Sequence, residues 1–143
     1  MDIIISSISV FLVSIIELWL GIPLGLFFGL NLLLIIISST AGSILSAIFV
    51  VILGENVRNY LLKRKYSKKF PKEGKIYNIW RKYGVVGIGL LSPLLFGAPL
   101  GAALGILLGA SKDRLLFWMS IGIIIWSTFL TLAGFLGITS NLL

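Results

Sequence analysis

A nine-residue pattern, G-x-P-L-G-x-x-x-G, occurs twice in this chain, each time inside a long apolar stretch. The first copy is Gly21, Pro23, Leu24, Gly25 and Gly29; the second is Gly97, Pro99, Leu100, Gly101 and Gly105, displaced by 76 residues. Proline removes a backbone N–H and clashes with the preceding turn, so each copy predicts a broken helix. Broken helices at membrane depth are tolerated only where protein or a polar path covers the freed backbone. Two halves that each carry one are the sequence signature of a small secondary transporter.

The rest of the chain agrees with a membrane setting. Mean hydropathy is +1.10 and charged residues make up 12%, about half their share in soluble domains. Apolar runs cover 3–16, 18–37, 41–53, 85–110 and 115–138, several of them near or above the ~20 residues that cross a hydrocarbon core. The first run lacks the basic start and small-residue cleavage site of a signal peptide, so it is expected to stay in the mature protein. No cysteine and no histidine are present, which removes disulfides, thiolate nucleophiles and most transition-metal sites. Neither a catalytic residue nor a metal or cofactor is expected, and the scarcity of general bases argues against an enzyme.

Charge sets the expected orientation. Of the twelve Lys and Arg, ten lie between Arg58 and Lys82; the other two are Lys112 and Arg114. Cations beside transmembrane helices report the cytoplasmic side rather than nucleic acid, and the same block suits anionic headgroups. Ile76, Ile79, Trp80 and Tyr83 recur there at helical spacing, as in a short interfacial helix. Four plain spans would put Lys112 and Arg114 opposite the basic loop. The favoured arrangement instead makes 3–30 and 84–110 re-entrant hairpins, with 31–54 and 115–139 spanning and 55–83 a cytoplasmic loop. All cations then lie inside and both termini outside. The predicted class is an all-α integral membrane protein, an inverted repeat of hairpin plus transmembrane helix, with 1–54 and 84–143 as its halves.

If Pro23 and Pro99 each begin a half-helix, two helix N-termini face each other at mid-membrane, where such ends attract anionic groups. The alternative is that the prolines only kink. Candidate substrate-binding positions at the breaks are Gly21, Pro23, Gly25, Pro93, Gly97, Pro99 and Gly101. Glu17 is the one carboxylate within the predicted membrane region. An ionised carboxylate at the bilayer centre costs a few kcal/mol, so it pairs, takes up a proton or lines a path; the competing reading puts Glu17 at the interfacial end of a short helix. Gly97, Gly101, Gly105 and Gly109 form a smooth stripe, as do Ser38, Gly42 and Ser46. Such faces let helix backbones approach closely, while Asn31, Ser38, Ser39 and Ser43 could line a polar path. The tryptophans read as belt residues.

The segment Glu17-Leu18-x-x-Gly21-Ile22-Pro23-Leu24-Gly25 resembles the first-half motif of the small multidrug export proteins of archaea and bacteria, distant members of the DedA (SNARE-associated, VTT-domain) superfamily. Lys82-Tyr83-Gly84, Pro93 and the 97–109 glycines support the resemblance, which covers roughly 15–139. It implies two re-entrant hairpins meeting at mid-membrane and, for the superfamily, movement of lipids such as polyprenyl phosphates or phospholipids. It also implies an acidic residue before the first hairpin turn, here Glu17. Two departures stand out: 90–105 carries no arginine, and Trp19 occupies a position where the export group often has Arg. Phosphate capture would then fall to helix dipoles or to headgroup contacts from Lys112 and Arg114.

The leading expectation is therefore a translocator of an anionic, lipid-like substrate, coupled to protons through Glu17. The alternatives are an exporter of small cationic or amphipathic compounds, with Glu17 as counter-ion, and a non-transporting scaffold. Membrane lipids are the expected partners, with anionic headgroups at the basic loop and no nucleic acid. So few spans need company, so a homo-oligomer, most simply a dimer, is expected.

Overall fold

Residues 2–63 and 80–141 are described by a computed structural model, and every regular element among them is a helix. In chain order these are α1 (Ile3–Ile16), α2 (Leu18–Phe27), α3 (Leu32–Lys63), α4 (Val85–Leu95), α5 (Ala98–Leu107) and α6 (Lys112–Asn141), with a π-helical turn over Trp80–Gly84 leading into α4. At 1.5 Å per residue the four short helices are each about 15–21 Å long, near half of a hydrocarbon core. Two helices, Leu32–Tyr60 and Lys112–Asn141, are long and apolar enough to cross it. Most of the expected interfacial helix, 64–79, lies outside the described residues. Helix α3 runs on past residue 54 to Lys63, further than the hydropathy suggested, because nothing in 55–63 breaks a helix once its apolar part is packed.

The two long helices run antiparallel. Glu55, late in α3, pairs with Lys112 at the start of α6 (3.4 Å), while Thr40, early in α3, donates to Ser127, later in α6 (2.9 Å). Each short pair folds back on its long helix. In the first half Gly21 lies against Ser14 and Val10, and Gly25 against Ile35 and Val10. In the second, Gly101 lies against Ser92 and Met119, and Gly105 against Leu115. Gly109, where the second short pair closes, lies beside the Arg58 guanidinium (3.9 Å from where a side chain would begin).

The contact glycines of the two halves recur at an offset of 80 rather than 76, while their partners in α1 and α4 recur at 78. Helices α2 and α5 both close with a glycine at positive φ, Gly29 (65°) and Gly109 (90°). In both, the next residue's N–H bonds back to a buried glycine, Leu30 to Gly25 and Ala110 to Gly105, as a Schellman cap requires. Gly42 abuts the Phe11 carbonyl and Gly122 the Gly89 carbonyl; the long-helix backbones touch their neighbours there, and only glycine fits. Glycines every four residues over 97–109 let a sequence pattern slip by one helical turn, which explains the shorter apparent offset.

The packed interior is small. Val10, Leu18, Ile22 and Ile35 form the core of the first half, and Val51, Ala98, Ala102, Ile106, Leu115 and Met119 anchor that of the second. Outside, large apolar side chains are exposed on all six helices, among them Ile4, Phe27, Leu33, Leu91, Leu104 and Phe129. A soluble monomer does not present apolar surface all round; a lipid-facing one does.

Candidate functional site

The breaks of the two hairpins meet. Between α1 and α2 the chain opens at Glu17, which is extended (φ −154°, ψ 128°) and serves as C-cap of one helix and N-cap of the next. Between α4 and α5 it opens at Phe96 and Gly97, and Gly97 has φ 80° and ψ 164°. The Cγ of Glu17 lies 3.7 Å from where a side chain on Gly97 would begin. Beside it, the indole N–H of Trp19 donates to the carbonyl of Leu94 at 2.7 Å, satisfying one of the acceptors that the end of α4 leaves open.

This corrects part of the expected geometry. Pro99 does sit in the first turn of α5, where its missing N–H costs nothing. Pro23 does not begin a half-helix: it lies inside α2, with Gly21 and Gly25 also helical. The first break falls at Glu17, four residues before Gly21, and Pro23 sits in the second turn of the helix that follows, facing the Trp19 carbonyl that it cannot donate to. Pro93 is likewise inside α4, and Gly101 inside α5. Of the positions proposed at the breaks, Gly97 and Pro99 are there; Gly21, Gly25 and Gly101 are the contact glycines of the hairpins.

Glu17 is partly buried, and its carboxylate makes no hydrogen bond or ion pair among the described residues. Of the other described acids, Asp2 and Asp113 lie at helix starts, and Glu55 lies in the last third of α3 beside Lys112. The first turns of α2 and α5, with N–H groups that lack intrahelical acceptors, open onto the same place. A lone carboxylate flanked by Trp19 and exposed Phe96 suits a small organic cation or a proton, while the helix ends suit an anion. Among the described residues no three His, Asp or Glu side chains gather into a metal-binding group.

The remaining predicted residues are elsewhere. Asn31 is exposed and caps α3, its Oδ1 accepting the Leu33 N–H at 3.2 Å. Lys112 is paired with Glu55 at the bundle end, Arg114 is exposed there, and both are far along α6 from the breaks. Ser38 is partly buried, whereas Ser39 and Ser43 are fully buried between helices. Ser39 lies 3.3 Å from Ser127, and Ser43 donates to the Ser14 carbonyl at 2.9 Å. Sequence reasoning passed over Ser14, Ser92, Ser127 and Thr131, all buried; the four-residue step from Ser127 to Thr131 was the available signal. Trp19 and Trp126 are not simply belt residues, since Trp126 also reaches inward, to the Leu90 carbonyl at 2.7 Å.

An all-helical chain with two membrane-length helices, an apolar exterior and a lone carboxylate among its helix breaks is a polytopic membrane protein. A family model described as "Putative small multi-drug export protein" matches residues 17–129, most of the chain, and the protein belongs to that family. The match begins at Glu17 itself. It carries nothing about the wider DedA superfamily or a lipid substrate. No curated protein and no solved structure matches the chain.

Proposed function

We propose that this protein is a membrane transporter that exports small cationic or amphipathic compounds, with Glu17 binding substrate and proton in turn. One observation carries the reading: Glu17 has no hydrogen-bond or ion-pair partner among the described residues and sits where the two helix breaks meet. A carboxylate held in an apolar bundle needs a cation, and exchange of one cation for another is the simplest cycle for it. The family's printed description points the same way, which moves weight from the lipid substrate to the export alternative.

In the membrane we read the two short-helix pairs as re-entrant hairpins and the halves as an inverted repeat. Support comes from the antiparallel long helices and from the Glu55–Lys112 pair, which gathers Lys112 and Arg58 at one end. By the positive-inside rule that end is cytoplasmic, both termini are outside, and the protein works as a homo-oligomer.

The test uses proteoliposomes holding either a cationic amphipathic dye or a fluorescent polyprenyl phosphate, with a pH gradient imposed. The expected result is dye movement that Glu17→Gln reduces at least about tenfold, a transition-state loss of ~1.4 kcal/mol. A second reading, translocation of an anionic lipid, is favoured by the helix N-termini at the breaks. Lipid movement that Glu17→Gln abolishes, with no dye movement, would replace the first reading by the second.

A further inference from the structure

The register of 80 pairs four fully buried positions of α3 with four of α6, and each pair sets a hydroxyl against an alkyl group. Ser39 corresponds to Met119, Ser43 to Ile123, Ala47 to Ser127 and Val51 to Thr131, and all eight are at most 1% exposed. Because α3 and α6 run antiparallel, Ser39, Ser127 and Thr131 fall toward the Asn31 end, and Ser43 lies level with Ile123 at the middle of the bundle. Ser39 and Ser43 belong to the early part of α3, and Ser127 and Thr131 to the late part of α6, which Thr40 and Ser39 touch. Met119, Ala47 and Val51 fall on the other side, toward Glu55 and Lys112, and with Ile123 they belong to the larger apolar core. The backbone is duplicated, but its polarity is not.

The hydroxyls form a continuous seam. Ser14, one turn before Glu17, has its carbonyl bonded by Ser43; Ser39, one turn from Ser43, meets Ser127; and Thr131 is one turn beyond Ser127. The hydroxyls of Ser14 and Thr131 are buried and have no hydrogen-bond partner among the described residues. An unpaired buried hydroxyl costs about 1–3 kcal/mol unless water reaches it. From the level of Ser43 to that of Thr131 the seam spans roughly 10 Å, taking 1.5 Å per residue. Ser92, which packs on Gly101 as Ser14 packs on Gly21, is also unpartnered; on its side of the breaks the other buried hydroxyl among the described residues is Ser46.

We infer that this seam is a hydrated half-path by which water and protons reach Glu17 from the Asn31 end of the bundle, while the basic end is sealed in this conformation. For its role in coupling the inference rests on the reading of Glu17 given above; the one-sidedness itself does not. No other described titratable side chain lies along the way: Asp2 is exposed at the start of α1, and Glu55, Arg58, Lys112, Asp113 and Arg114 are at the far end.

The chain has no cysteine, so single thiols can be placed without other changes. Silver ion, a small cation that reacts only where water lets a thiol ionise, is applied to one face of oriented vesicles. Unreacted thiol is then counted with a fluorescent maleimide after denaturation. Asn31→Cys and Ser111→Cys, both at exposed positions, report arrival at the two ends. Ser127→Cys and Thr131→Cys are expected to be blocked from the Asn31 face at least ~10-fold faster than Ala47→Cys and Val51→Cys from either face. Ser39→Cys against Met119→Cys repeats the comparison if one of those variants fails to fold. Equal rates at paired positions, or no reaction at Ser127→Cys when Asn31→Cys reacts, would overturn the half-path. Transport is not read, so failure of the export reading leaves this result unaffected, and the reverse also holds.

Discussion

The two helix breaks stand close together, yet they are made by different means. Gly97 opens its hairpin through a backbone conformation that is essentially confined to glycine, and Pro99 then starts the next helix. Glu17 opens the other in ordinary extended conformation with no Gly or Pro at the break. What the two share is the packing of the arms: Gly21 on Ser14 and Gly101 on Ser92, each closed by a Schellman glycine. A hairpin is thus imposed by how its arms meet, which leaves the residue at the turn free for chemistry. The second half uses that position for geometry, and the first half uses it for a carboxylate.

The equivalence of the arms is tested most severely at Gly42 and Gly122. Valine at either would drive Cβ into the carbonyl of Phe11 or Gly89, and each is expected to lower stability by about 3 kcal/mol. Thermal unfolding in detergent checks this; a large loss at one and none at the other would break the correspondence of the halves.

The contrast between breaks predicts a smaller, unequal effect. Gly97→Ala forces a side chain into a glycine conformation and is expected to cost about 2 kcal/mol. Glu17→Ala leaves an extended residue extended and is expected to keep stability within ~0.5 kcal/mol. Equal losses at the two would mean that Glu17 has a structural role after all. Trp19→Phe removes the indole bond to Leu94 that ties one hairpin to the other, for about 1 kcal/mol. Smallest of all is Glu55→Gln, where an exposed pair is removed at a cost within ~0.5 kcal/mol by the same melt.

Much of the site was legible. Glu17 stood out because a carboxylate in an apolar run is costly unless it pairs, takes up a proton or reaches the interface, and Gly97-Ala98-Pro99 announced its break because glycine and proline act locally. Pro23 misled, since a proline inside a short helix forgoes one hydrogen bond without having to end it, and nothing local says which a given proline does. Lys112 and Arg114 gave the hairpin reading its first support through charge alone, and the ion pair of Lys112 with Glu55 is where that reading acquired a geometry.

Hydropathy, two prolines and the clustering of cations suffice to make this an all-helical membrane protein with two long and four short helices, because each is a property of a residue and its immediate solvent. The register of 80, the opening at Glu17 and the gathering of Ser14, Ser39, Ser43, Ser127 and Thr131 into one seam needed the packed bundle. Glycines spaced every four residues look alike after a slip of one turn; only the carbonyls and side chains they press against tell the turns apart.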